Sequence, residues 1–328
     1  MRVSQNNLRL LALALLPVLL ITACSDEKSK NYPAGYVTAP KVVLRDRLAD
    51  VYNKVAMVEN GERVEVLETY KRMVRVRTAR GEVGWMEQRY LAGENVFQAF
   101  QKLAAENQRA PVAAQAVTRA IVNMRARPGR DGERLYQMPE GEKLELLKRA
   151  TADKPVPAGT ASPADSEDNE PAPKPLEDWW LVRNTHGHVG WVLGRMIDVD
   201  VPLEVAQYAE GQRIVASFVL SEVEDQGKKI PQYLMLLSEP KDGLPDDYSQ
   251  VRVFTWNLQR SRYETAYRER KLAGRLPVTV GREDFGKEGN LPAFTLRLAE
   301  PGGSTAEVKY KMNGVMVRRV APSRGGSK

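Results

Sequence analysis

The chain has 328 residues, of which 42% are hydrophobic and 28% are charged, a balance typical of ordinary globular protein rather than of fibrous or disordered chains. Lysine and arginine number 49 against 42 aspartates and glutamates, so the formal net charge is +7. Because the chain contains one cysteine, an intramolecular disulfide is excluded, and each domain must be stabilised by its own core.

The first 24 residues carry the pattern of an export signal. Arg2 and Arg9 form a basic start, residues 10–21 are apolar and interrupted only by Pro17, and small residues then lead to Cys24. Such a stretch is typical of a cleaved signal peptide, and it is too short to cross the roughly 30 Å hydrocarbon core as a stable helix. The alternative is an unmodified secreted protein with a chance cysteine.

The four residues Ile21-Thr22-Ala23-Cys24 resemble the lipobox of bacterial lipoproteins. The resemblance implies that residues 1–23 are a signal peptide, that the thiol of Cys24 is acylated, and that residues 24–35 form a tether. Ser25 at the next position implies, in that family, the outer membrane of a Gram-negative bacterium, on either its periplasmic or its surface face. Several acyl chains on one residue anchor a protein far more strongly than a single chain.

The next feature is an internal repeat. Residues 61–67 (GERVEVL) recur as residues 141–147 (GEKLELL), and residues 76–85 recur as residues 182–191. Apolar and charged residues alternate within each copy, as they do in half-buried strands. We therefore predict two small β-barrels of short antiparallel strands.

Two segments of different character accompany the repeat. Residues 151–178 are rich in proline and acids and poor in core residues, so we predict a disordered insertion in the second copy. Phe97, Phe100 and Leu103 follow helical spacing and precede Pro111. The sequence therefore predicts a connecting helix over residues 94–111.

The repeated motifs resemble bacterial Src-homology-3 (SH3-like) domains. The second copy has residues 122–125 (VNMR), 140–142 (EGE) and 187–191 (GHVGW), and the first keeps residues 61–62 (GE) and 81–86 (GEVGWM). The resemblance implies SH3-like domains at residues 36–91 and 117–200. Members of this family in bacterial envelopes often bind peptidoglycan or peptide segments, usually as non-catalytic targeting modules.

The resemblance also nominates binding residues. The tyrosines fall in the loop where the family places its groove, and the arginines either pair with a carboxylate across the barrel or contact an acidic ligand. The tryptophans either fill the core, which the alternation favours, or line the groove. The candidate ligand-binding residues are Tyr52, Tyr136, Arg45, Arg125, Trp85 and Trp191.

Residues 203–320 match no pattern that we recognise, but six to eight alternating segments predict an all-β domain, either sandwich-like or an open barrel. Residues 250–256 and 262–267 read as a hairpin, and residues 321–328 as a disordered tail. The candidate basic surface consists of Arg262, Arg268, Arg270 and Lys271. This surface either binds anionic glycans or lipid headgroups, or is a solvated strand face with interleaved acids.

The residue inventory argues against catalysis. We expect the thiol of Cys24 to be acylated, which leaves no cysteine nucleophile. The two histidines, His186 and His188, share one strand face with no third metal ligand nearby, so we expect both to be exposed turn residues. The sequence therefore predicts no metal, cofactor or catalytic residue. The sequence thus predicts a mainly β, non-catalytic envelope protein. Its expected partners are the membrane, through Cys24, and peptidoglycan or a protein, but not nucleic acid. The alternatives are a structural lipoprotein of an envelope complex and a carboxylate-dependent wall-glycan hydrolase in residues 203–320.

Overall fold

A computed structural model describes residues 32–155 and 174–321. The proposed signal peptide, Cys24, most of the tether, most of the predicted insertion and nearly all of the predicted tail lie outside these residues. The described chain is mainly β, with three antiparallel sheets of seven strands each. Within it, no helix is both long enough and apolar enough to cross a bilayer.

The first sheet has the strand order β3-β2-β6-β5-β4-β1-β7. Alternation explains its core: β5 buries Val74 and Val76 and leaves Arg75 exposed between them, and Leu44, Val58 and Met86 complete the buried side. Its strands are β1 (Ala34–Val37), β2 (Lys41–Arg45), β3 (Lys54–Glu59), β4 (Arg63–Tyr70), β5 (Met73–Thr78), β6 (Val83–Glu87) and β7 (Leu91–Gly93).

The second sheet repeats this topology. Its order is β10-β9-β13-β12-β11-β8-β14, which is the first order with every strand shifted by seven. The sequence repeat is therefore a repeat of strand connectivity. Neither sheet is a closed barrel, since β3 and β7 in one sheet and β10 and β14 in the other are edge strands. The strands are β8 (Ala114–Thr118), β9 (Val122–Arg125), β10 (Arg134–Met138), β11 (Lys143–Asp153), β12 (Leu176–Asn184), β13 (Val189–Leu193) and β14 (Ile197–Val199).

Helix α1 (Glu94–Glu106) connects the two sheets and contacts both. Phe97 stacks on Tyr36 of β1 with ring centroids 4.1 Å apart, and the buried Phe100 meets Tyr136 of β10 edge to face at 5.3 Å. The helix ends at Glu106, earlier than the predicted end at residue 111. It ends there because the side-chain amide of Asn107 donates to the Leu103 carbonyl at 2.9 Å.

The ends of the predicted insertion are strands rather than loop. Residues 151–153 belong to β11 and pair with residues 176–178 of β12, so the hairpin extends well beyond the body of the sheet. Glu177 and Asp178 are buried there. Composition suggested a loop, but arginines distant in sequence pair with these acids: Arg130 with Glu177 at 2.6 Å, and Arg149 and Arg213 with Asp178.

The third sheet is a meander in which all seven strands follow chain order. It is one continuous sheet in which the first strand also contacts the fourth and fifth, so of the two predicted alternatives it resembles an open barrel more than a sandwich of two separate sheets. One face, with Leu234, Val251 and Phe294, joins the same apolar cluster as the second sheet, and the other face is covered by Val205 of helix α2 (Leu203–Ala206). The strands are β15 (Arg213–Asp225), β16 (Lys228–Ser238), β17 (Tyr248–Asn257), β18 (Arg262–Asp284), β19 (Asn290–Ala299), β20 (Thr305–Asn313) and β21 (Met316–Arg319). The predicted hairpin is formed by β17 and β18.

Candidate functional site

A groove of about 500 Å³ lies where the first sheet meets the second. We call it the intersheet groove. Its charged and aromatic lining brings together residues that are far apart in sequence, and two of the predicted ligand-binding residues are among them. The acid in the lining, Glu87, is paired with Arg89 at 2.7 Å. The lining includes Lys41, Val43, Arg45, Tyr52, Glu87 and Tyr90 from the first sheet, and Asn123, Arg134 and Gln137 from the second.

Arg45 and Tyr52 form one side of the groove. The guanidinium carbon of Arg45 lies 4.3 Å from the centroid of the Tyr52 ring, which is 38% exposed. Asp46 holds the loop between them, because its carboxylate accepts from the backbone N–H of Asn53 at 2.8 Å and from the Asn53 amide at 3.0 Å. The hydrogen bond from Arg47, followed by the one from Asn53, lowers the pKa of Asp46 well below its usual range. The loop thus presents a cation and an aromatic ring to the groove.

The opposite side is tied to the first sheet by Asn60. The Asn60 amide donates to the Leu135 carbonyl at 2.9 Å, and its oxygen accepts from the backbone N–H of Gln137 at 2.9 Å. Gln137 in turn donates to Asn123 at 2.9 Å. Arg134 is exposed and forms no ion pair with any residue of the described ranges. The groove therefore has fixed walls and a cation on each side.

Tyr136, a predicted ligand-binding residue, is not available at the surface. Its ring is 7% exposed and lies between Phe100 and His188, stacking on the imidazole at 3.7 Å. His188 is accordingly half-buried, and burial, with a smaller contribution from His186, lowers its pKa. The expectation of two exposed turn histidines is correct only for His186. Alternation along β10 did not signal this result, because the register shifts between Arg134 and Gln137 and both Leu135 and Tyr136 are buried.

Arg125 also lies away from the groove. It donates to the Gly132 carbonyl at 2.5 Å, and desolvation, followed by repulsion from Arg134, lowers its pKa. It therefore acts within its own loop rather than through a carboxylate pair across the sheet. Arg45 likewise has no carboxylate partner among the described residues, because its neighbour is the Tyr52 ring.

The two tryptophans of the repeated Gly-Trp motif have different surroundings. Trp191 is 8% exposed and packs in a cluster with Trp179 and Leu181 that α1 covers through Leu103. Trp85 is half-buried and lies on the outer face of the first sheet, opposite to the core residue Met86.

Two of the four residues of the predicted basic surface are paired with acids. Arg262 pairs with Glu264 at 3.0 Å and Arg268 with Glu210 at 3.0 Å, whereas Arg270 donates to Gln250 at 3.0 Å. Lys271 is exposed at a left-handed backbone position with φ of 59°. Arg270 and Lys271 have no ion pair with any acid of the described residues, so both interpretations of this surface stay open.

A second cavity of about 500 Å³ separates the second sheet from the third. Its floor is an ion network that sequence reasoning missed, because Asp178 was assigned to the insertion. Arg149 contacts Asp178 at 3.0 Å and Asp247 at 2.9 Å, and Arg213 contacts Asp178 at 2.8 Å and Asp242 at 2.8 Å. These carboxylates are held by arginines and link the two sheets.

No group of three or more metal-ligating side chains comes together within residues 32–155 and 174–321. Cys24 lies outside these residues, so its environment is not described.

Comparisons with solved structures give distant similarities only. NlpC2 from Trichomonas vaginalis is 11% identical, with 54% of this chain and 53% of that chain covered and a TM-score of 0.17. An NlpC/P60 family protein from Bacillus cereus is 11% identical, with 73% and 99% covered and a TM-score of 0.24. NlpC1 from Trichomonas vaginalis is 10% identical, with 76% and 92% covered and a TM-score of 0.19. The chain thus spans about half the length of NlpC2, and none of these TM-scores supports an argument about fold or activity.

No curated protein matches the chain. Residues 120–198, which contain β9 to β14, match the bacterial SH3 domain family. The resemblance stated from the motifs is thereby confirmed for the second copy: this mainly β protein contains a bacterial SH3 domain at residues 120–198.

Proposed function

We propose that this chain is a non-catalytic, lipid-anchored envelope protein that holds peptidoglycan close to the outer membrane. The observation that carries the proposal is the intersheet groove beside the SH3 domain, in which Arg45 and Tyr52 face Arg134. Arginine binds carboxylates with two parallel hydrogen bonds, and peptidoglycan is rich in carboxylates along its stem peptides. The groove offers such cations on both walls.

The shared strand order supports treating the first sheet as a second SH3-like module. Two modules that meet at a groove enlarge the contact with a polymer, and the Asn60 bridge keeps the two walls from separating. Preorganised walls lower the entropy that binding must offset.

The anchor is proposed from the lipobox resemblance. Metabolic labelling with an alkyne-bearing fatty acid should mark the wild-type chain and not Cys24→Ala, and fractionation should move that variant from the outer membrane to the soluble fraction. Labelling that persists in Cys24→Ala would rule out this residue as the anchor.

A non-catalytic role is supported by the state of the acids around the second cavity. Asp178, Asp242 and Asp247 are bound by Arg149 or Arg213, so none is positioned as a free general acid or base. Sustained release of soluble fragments from sacculi, abolished by one carboxylate substitution, would contradict this part of the proposal and favour a hydrolase.

Wall binding is tested by sedimentation of the Cys24→Ala chain with purified sacculi. We expect Arg134→Glu and Tyr52→Ala each to weaken binding about tenfold, because each removes a charge-assisted or stacking contact. Arg318→Glu, an exposed residue of β21 away from the groove lining, is the matched control and should bind as the parent does. A parent chain that stays in the supernatant would refute wall binding and leave a protein partner as the better hypothesis.

A further inference from the structure

The outer face of the first sheet carries a row of one aromatic and two cationic side chains. In the strand register Arg45 of β2 lies opposite Trp85 of β6, and Trp85 lies opposite Arg75 of β5. Paired residues of antiparallel strands point to the same side of a sheet, so all three side chains share the face turned away from Val74 and Val76. We call these three residues the Trp85 face.

The second sheet indicates what this face would look like if it were built only for packing. The corresponding register there joins Arg125, Trp191 and Leu181. Leu181 and Trp191 are buried in the cluster that α1 covers. On the first sheet Arg75 occupies the place of Leu181, and it is exposed. An arginine at this position disfavours an apolar cover, because burying an unpaired cation is costly.

The cations of the Trp85 face are not neutralised by their neighbours. The adjacent acids Glu65 and Glu87 are paired with Arg77 at 3.2 Å and with Arg89 at 2.7 Å. Glu68 lies opposite Arg75 in the register, yet no ion pair within 4 Å joins Arg75 or Arg45 to any acid in the part of the chain that the structure describes. The face therefore keeps two cations for an external anion.

We propose that the Trp85 face binds an acidic glycan strand, in which carboxylates are carried on the sugars themselves. A pyranose ring presents an apolar face of C–H groups that packs on an indole, and the arginines flank that indole across two strand spacings, about 10 Å apart. The guanidinium groups of Arg45 and Arg75 can each donate two parallel hydrogen bonds to a carboxylate on either side of the stacked sugar ring. The inference rests on the proposed wall-binding function and deepens it. The Trp85 face takes glycan stretches from which stem peptides have been removed, because the lactyl carboxylate is amide-bonded and uncharged where a stem peptide remains. The intersheet groove takes the stem peptides of other stretches.

The experiment uses the Cys24→Ala chain and three probes. The first is peptidoglycan glycan strands freed of stem peptides by an amidase, which leaves a carboxylate on each lactyl sugar. The second is a chitin oligosaccharide of similar length, with related sugars and no carboxylate, and the third is the released stem peptides. We expect the acidic strands to bind at least about tenfold more tightly than the neutral oligosaccharide, since only they engage the arginines.

Arg45 belongs both to this face and to the groove lining, so variants at Arg75 and Arg134 are used to distinguish the two sites. Arg75 is exposed, so Arg75→Glu should fold normally. It should weaken binding of the acidic strands about tenfold, with partial recovery in Arg75→Lys. Arg134→Glu in the groove and Arg318→Glu in β21 should leave binding of these strands unchanged. Equal affinity for acidic and neutral glycan, or no effect of Arg75→Glu, overturns the inference.

The outcomes also distinguish this inference from the proposed function. Sedimentation with intact sacculi that depends on Arg134, together with no binding of the stripped strands, overturns the glycan site and leaves the wall-binding function standing. Binding of stripped strands that depends on Arg75 supports the glycan site even where Arg134→Glu still sediments with sacculi. If neither sacculi nor stripped strands bind, both proposals fail.

Discussion

Removal of the Arg149 side chain tests whether the ion network between the second and third sheets holds them together. Arg149 is 8% exposed and makes four hydrogen bonds, to Asp247 at 2.9 Å, to Asp178 at 3.0 Å, and to the carbonyls of Leu244 and Asp246 at 2.7 Å and 3.0 Å. Arg149→Met keeps much of the length and apolar volume of the side chain but removes every donor.

The expected loss of stability depends on which partners the aspartates keep when Arg149 is replaced. Breaking a buried ion pair by removing one partner costs about 3–5 kcal/mol, because the other charge is left uncompensated. Asp178 would still accept from Arg213 at 2.8 Å and from the backbone N–H of Gly243 at 3.0 Å. We therefore expect the lower end of that range, a loss of about 3 kcal/mol in the free energy of unfolding.

Urea unfolding followed by far-UV circular dichroism and tryptophan fluorescence measures this loss. The matched control is Arg119→Met in the same cavity, which breaks an equally short pair with Asp198 at 2.8 Å where both side chains are more than half exposed. Exposed pairs contribute little, so the control should lose less than about 1 kcal/mol. An Arg149→Met loss no larger than that of the control would refute the buried-network argument.

Three further predictions concern single positions. Gly190→Ala places a Cβ 2.2 Å from Met124 Cγ in the packed core, so we expect a loss of about 2 kcal/mol in urea unfolding. The hydrogen bond from Arg252 holds the pKa of Glu210 at about 2. The resulting stabilisation of the folded chain is complete above the ordinary pKa of 4.5 and is lost as pH falls towards 2. The difference in unfolding free energy between wild type and Glu210→Gln should therefore narrow on acidification. Burial lowers the pKa of His188 below 6.5, so protonation favours the unfolded chain. The melting temperature should therefore decrease when the pH is lowered from about 7 to about 5, and it should decrease less in His188→Phe.

Each of these has a contradicting result. Gly281→Ala, where nothing lies within 4 Å of the added Cβ, is the control for Gly190→Ala, and equal losses would contradict the clash. A stability gap for Glu210→Gln that stays constant with pH would show that the Arg252 contact, made by an arginine only 1% exposed, does not depend on the charge of the carboxyl. Parallel pH profiles for wild type and His188→Phe would remove His188 as the group that titrates.

Strand positions in the repeats could be predicted from the sequence because alternation is a local property. Val74, Arg75 and Val76 are placed on opposite faces by the pleat alone, whatever the sheet packs against. The repeated Gly-Glu and Gly-Trp motifs indicated equal topology for the same reason, and the two strand orders are equivalent. Helix α1 was recognisable from its apolar spacing, although the Asn107 cap sets its end.

Burial of individual side chains could not be read from those motifs. Trp85 and Trp191 share the same local sequence, yet one is half-buried and the other is covered by α1, because cover depends on a distant element. Tyr52 and Tyr136 were nominated on equal grounds, and only the second is enclosed, by Phe100 and His188.

The sequence by itself determined the β alternation, the repeated connectivity and the SH3 motifs, all of which depend on residues close together in the chain. The tertiary structure decided which charges are neutralised. Composition placed Asp178 in a loop, but the fold brings Arg149 and Arg213 to it. Arg45 and Arg75, by contrast, have no carboxylate partner among residues 32–155 and 174–321. The reason is physical: alternation is set between neighbouring residues, whereas the cost of burying a charge depends on partners that only the folded chain brings within a few ångströms.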